Sequence, residues 1–74
     1  MTLDAVPIGR TAVIEHVGGE GDIRLRLLDM GVIPKTEITL TRTAPLGDPI
    51  EVRLRGYTLT LRKEDAKNVE VTVL

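Results

Sequence analysis

Residues 50–61, IEVRLRGYTLTL, can pair with themselves in one satisfactory register. With Arg55 and Gly56 at the centre of a two-residue hairpin turn, Leu54 opposes Tyr57, Val52 opposes Leu59 and Ile50 opposes Leu61. Arg53 then opposes Thr58 and Glu51 opposes Thr60, so one face is apolar and the other polar. A slip by one residue would scramble both faces. The stretch therefore predicts a half-buried antiparallel hairpin, and the rest of the chain must cover its apolar face.

Upstream lies Thr43 to Pro49, TAPLGDP, a loop with two prolines and one glycine. Proline fixes φ and donates nothing to a ladder, so this loop must be ordered by its own turns. Leu46 at its centre either projects as part of an exposed apolar patch or folds back as a lid on the core. Before it, Glu37 to Arg42 alternates cleanly, with Ile38 and Leu40 inward and Glu37, Thr39 and Thr41 outward.

Ile23 to Thr36, IRLRLLDMGVIPKT, reads as a short helix that stops sharply. Asp22 is expected to cap it, and Ile23, Leu27 and Met30 share one face. Leu28 widens that face, and Leu25 fits it least well. Gly31 sits where a helix commonly ends in a left-handed residue, Val32 can fold back onto the last turn, and Pro34 stops the helix from resuming.

Thr11 to Val17 predicts a strand with an ambiguous inner face: Val13 and Val17 lie on one side, Ile14 with His16 on the other. Leu3, Val6 and Ile8, in the first ten residues, are expected to lie across an open edge of the domain. At the far end Arg62 to Asn68 is long enough for one helical turn, and Val69, Val71 and Val73 alternate through a last strand. The sum is a mainly β fold spanning residues 1–74 as a single domain. It is a small, strongly bent antiparallel β-barrel with one short inserted α-helix and a short helical turn near the C-terminus. An exposed edge of such a barrel allows weak homo-oligomerisation or pairing with a partner strand.

Composition narrows the function. The chain has 74 residues and no cysteine, which excludes a disulfide scaffold or a thiolate metal site and fits a reducing, cytoplasmic compartment. Ten basic and eleven acidic residues give a net charge of −1, so no long-range field draws in nucleic acid or an anionic membrane. No segment is apolar enough to insert directly in a membrane. Tyr57 is the one aromatic residue, which leaves almost nothing to stack on bases or on proline-rich peptides.

Catalysis finds no footing. There is no serine and no cysteine, His16 is the single histidine, and the carboxylate pairs Glu64 with Asp65 and Asp48 with Glu51 read as solvated faces, so the chain is not expected to be an enzyme or to need a cofactor. Gly18, Gly19 and Gly21 precede the helix, but Glu20 and Asp22 would repel phosphate, so they read as a flexible connection. Glu15 and His16, with Glu20 and Asp22 nearby, are weak candidates for a metal, with a spacing that matches no closed site. Seven of the ten basic residues are arginine. Arg55 at the hairpin tip has the exposure for insertion into a nucleotide hydrolase, with Arg42 and Arg24 as weaker candidates. The stronger expectation is a partner surface formed by Leu25, Leu28, Pro45, Leu46, Gly47, Asp48 and Arg55.

Four ordered stretches, LLDMGVIPKTEI, APLGDPI, VRLRGYTLTLR and KEDAKNVEV, resemble the FeoA family, small cytoplasmic proteins of bacterial ferrous iron uptake. The resemblance covers nearly the whole chain. Lys35 departs from it, standing in a turn where the family often has glycine. The resemblance implies an SH3-like barrel that acts, without catalysis, as an accessory to FeoB, the membrane-bound transporter with a G domain. The same module resembles the C-terminal domain of iron- and manganese-dependent repressors, which implies the alternative of a metal-responsive sensor or carrier. Met1 and a domain with all its elements point to a free-standing chain.

Overall fold

A computed structural model describes residues 1–74. A turn of 3₁₀ helix at Leu3–Ala5 leads into β1 (Thr11–Val17), α1 (Asp22–Asp29), β2 (Glu37–Thr43), β3 (Ile50–Leu54), β4 (Tyr57–Leu61), α2 (Lys63–Ala66) and β5 (Val69–Val73). The strands form one antiparallel sheet in the order β4-β3-β2-β1-β5. The sheet curls so far that Leu61 of β4 and Val69 and Val71 of β5, from its two outer strands, share one core.

The hairpin has the expected register at all five pairs, from Ile50 with Leu61 to Leu54 with Tyr57. Arg55 and Gly56 take φ of 49° and 84°, the left-handed pair that matches strand twist in a two-residue turn. Ile50, Val52, Leu54 and Leu61 are buried. Ile38 and Leu40 of the neighbouring β2 are buried in the same core, as alternation predicts.

β1 resolves its ambiguity through a bulge. Ile14 pairs with Val71 and His16 with Glu70, so Glu15 is an extra residue that shifts the alternation by one. Ala12, Ile14 and Val17 all become core residues, and His16 is exposed. The expectation that His16 shares a face with Ile14 is therefore corrected. A second bulge at Thr41 lets Leu40 face Val52 while Arg42 faces Glu51.

The helix ends as expected but begins differently. Asp22 is the first helical residue rather than the cap; Gly21, at φ 55°, precedes it, and no side chain caps this end. A glycine can enter the helix from a backbone angle that an L side chain resists, so the turn falls one residue early. At the other end the Gly31 N–H donates to the Leu28 carbonyl and the Val32 N–H to that of Leu27, both at 3.0 Å, with Gly31 at φ 94°. This is a Schellman closure, and it drives Val32 into the core. Leu27 is the fully buried residue of α1, a burial that stabilises the docked helix by about 2 kcal/mol. Leu3 and Val6 plug the core from the N-terminal segment, while Ile8 is exposed.

Candidate functional site

Residues 43–49 are held by their own hydrogen bonds. The Gly47 N–H donates to the Ala44 carbonyl at 2.8 Å, closing a β-turn with Pro45 and Leu46 at its centre, and the Ala44 N–H donates to Pro49 at 2.9 Å. Proline at the first central position presets the φ that such a turn needs. The Asp48–Pro49 bond is cis, and an Asp48 carboxylate oxygen accepts from the Lys63 N–H at 3.0 Å. Leu46 is 97% exposed on this frame, so it is not a lid. Beside it lies a groove of about 290 Å³ lined in part by Pro45, Pro49 and Thr60. The charges on its wall are already engaged: Glu51 binds Arg42 at 3.2 Å and accepts from the Thr41 hydroxyl at 2.9 Å.

The other expected surface residues lie elsewhere. Leu25 is 56% exposed on the outward side of α1, with Asp22 and Asp29, while Leu28 is half-buried against the core. No hydrogen bond joins α1 to the loop. Both are instead tethered to α2, the helix by Arg26 and Asp65 at 4.0 Å and the loop by Asp48. Arg55 stands at the opposite end of the hairpin from Pro49, roughly 16 Å away along a five-residue strand, and donates to the Thr36 hydroxyl at 3.3 Å. Pro45, Leu46, Gly47 and Asp48 thus share one ordered loop, from which Arg55 is separated by the length of β3.

Arg24 donates to the Val17 carbonyl at 3.2 Å, Arg42 is paired with Glu51 and Arg55 donates to the Thr36 hydroxyl, so all three arginines singled out are engaged, and Arg24 and Arg55 have no acidic partner. His16 faces solvent across from Glu70, and Glu15 occupies the bulge. No three or more His, Cys, Asp or Glu side chains gather where they could share a metal ion. Sequence reasoning missed Tyr57, whose hydroxyl donates to the Met30 carbonyl and fastens the end of α1 to β4. Its singularity as the one aromatic residue was the available signal.

The FeoA domain family matches residues 1–73. A fusion of Fe(2+) transport protein A with the Fe(2+) transporter FeoB, from Porphyromonas gingivalis, is 40% identical over all of this chain, which spans 9% of that relative's length. The solution structure of a FeoA-like protein from Clostridium acetobutylicum is 42% identical, with a TM-score of 0.93, and the match covers 100% of this chain and 86% of that one. The crystal structure of Stenotrophomonas maltophilia FeoA complexed with zinc, described as a procaryotic SH3 domain protein, is 30% identical with a TM-score of 0.86 and covers 97% and 89% of the two chains. No helix of this chain is long and apolar enough to cross a membrane. The chain therefore belongs to the FeoA domain family, with the SH3-like fold of its solved relatives.

Proposed function

We propose that this chain is a cytoplasmic docking module for the ferrous iron transporter FeoB, gripping it through Pro45, Leu46, Gly47 and Asp48, with Leu25, Leu28 and Arg55 as outlying contacts. The observation that carries the reading is the Porphyromonas gingivalis relative, in which a segment 40% identical to this chain belongs to the same polypeptide as the transporter. Covalent linkage supplies a high effective concentration, which suits a noncovalent contact too weak to persist between separate chains. A leucine exposed on a loop with fixed turns fits that need, because little entropy is lost when it is ordered against a partner.

The test is an NMR titration of isotope-labelled protein with the transporter's soluble cytoplasmic domain, and separately with ferrous iron under anaerobic conditions. Shifts at residues 43–49 with the transporter domain, and their loss in Leu46→Asp, are the expected result. A Leu46→Asp protein that binds as well as the original overturns the proposed surface. Iron-dependent broadening centred on His16 would replace docking with a metal-sensing role.

A further inference from the structure

The sheet has two outer strands, and the chain treats them differently. β5 is covered by the start of the polypeptide: Thr2 bridges to Glu70, and the Val71 N–H donates to the Met1 carbonyl at 2.8 Å. β4 has β3 as its sole sheet neighbour. Because the two-residue turn makes Leu54 and Tyr57 a hydrogen-bonded pair, Val52 with Leu59 and Ile50 with Leu61 are hydrogen-bonded as well. The N–H and C=O of Thr58 and Thr60 therefore point away from β3. Both residues are exposed, and neither lends a backbone group to any hydrogen bond outside the ladder.

Four backbone groups at strand spacing thus face solvent. β4 contains no proline, no lysine and no bulge, the devices that usually blunt an edge. Next to it runs a groove of about 200 Å³ lined by Ile23 and Leu27 of α1, by Met30 just past the helix, and by the charged Arg26, Arg62 and Asp65. That groove offers apolar contact to side chains of an added strand.

Charge decides what can occupy the edge. The ion pairs of the chain are Arg26 with Asp65 and Arg42 with Glu51, so Arg53, Arg55, Arg62 and Lys63 are exposed and have no acidic partner. The acids beside Arg62 and Lys63 that have no ion-pair partner are Glu64 of α2 and Asp48, whose carboxylate is held by the Lys63 backbone N–H, so Arg55 is the end of the edge whose charge is least offset. Antiparallel self-pairing that uses all the free groups of both copies must centre on Leu59. It would bring Arg55 of each copy against the Arg62 and Lys63 end of the other, and like charges directly opposed are destabilising. A second copy is the wrong occupant; a strand with acidic ends is the right one.

We propose that the β4 edge takes up an extended segment of a partner protein as a sixth strand, one whose β-prone middle is flanked by acidic side chains that meet Arg55 at one end and Arg62 with Lys63 at the other. Arg55 and Arg62 are seven positions apart, which sets a reach of roughly 23 Å along the added strand. This inference shares Arg55 with the docking proposal but not Leu46, which lies outside the edge.

The test uses two blocked eight-residue peptides, Glu-Thr-Val-Thr-Val-Thr-Val-Glu and the same peptide with lysine at both ends, added to isotope-labelled protein. Expected are shifts and slowed amide exchange at Thr58 and Thr60 with the acidic peptide, and roughly tenfold weaker binding of the basic one. The double variant Arg55→Glu, Arg62→Glu should reverse that preference. Thr60→Pro deletes an outward N–H without deleting a ladder bond and should abolish the response; if it fails to fold, the charge reversal still decides. Leu46→Asp should leave peptide binding unchanged, so failure here and failure of loop docking are separable. Equal response to both peptides, no response at Thr58 and Thr60 at millimolar peptide, or concentration-dependent self-association through β4 would each overturn the proposal.

Discussion

The Asp48 carboxylate accepts a hydrogen bond from the Lys63 backbone N–H at 3.0 Å, tying the loop before β3 to the first turn of α2 across 15 residues of sequence. The N-cap residue of α2, Arg62, makes no side-chain cap of its own, so Asp48 supplies the missing acceptor from a distance. Asp48→Ala should destabilise the protein by about 1 kcal/mol in urea denaturation. Asp48→Asn, which keeps an acceptor oxygen, should lose less.

Gly31 is fixed by two independent constraints. At φ 94° an L side chain is strained, and a Cβ there would collide with the Tyr57 hydroxyl. Gly31→Ala should cost about 2–3 kcal/mol. In a Tyr57→Phe background the added cost should shrink, because the nearest atom is gone while the φ strain remains. A double-mutant cycle by chemical denaturation measures that coupling.

Lys35 holds φ 72° without being a glycine. Its N–H donates to the Ile14 carbonyl at 2.6 Å, which locks the turn between α1 and β2 onto β1. Lys35→Gly should relieve the left-handed strain and stabilise the protein by about 0.5–1 kcal/mol net of the greater freedom of glycine in the unfolded chain. A higher midpoint in thermal unfolding checks it.

Leu46 and Leu27 make opposite predictions from the same residue type. Leu46 is 97% exposed and Leu27 1% exposed. Leu46→Asp should change stability by less than about 0.5 kcal/mol, whereas Leu27→Ala should cost about 2–5 kcal/mol through lost burial and the cavity left behind. Parallel urea curves for the two variants distinguish a partner-facing leucine from a core one.

The hairpin was legible because its register is a local property: alternation over five residues on each side and a two-residue turn leave one arrangement with both faces consistent. The helix stop at Gly31 was legible for the same reason, since a Schellman closure involves neighbouring residues only. The inner face of β1 was not. Its bulge at Glu15 exists only relative to β5, more than fifty residues away in sequence. Periodicity counted along one strand cannot register an extra residue that a distant partner leaves unpaired.

The candidate site divides along the same line. Composition alone determined that chemistry requiring serine, cysteine or stacked aromatics is absent, and four ordered motifs carried the family resemblance; both depend on which residues are present and in what order. Tertiary structure decided that Leu46 projects rather than folds back, that Asp48 caps α2, that Arg55 stands at the far end from the loop, and that the N-terminus covers β5 while β4 is left open. Each of these depends on where separate stretches of backbone meet, and that is set by the closure of the whole sheet around its core.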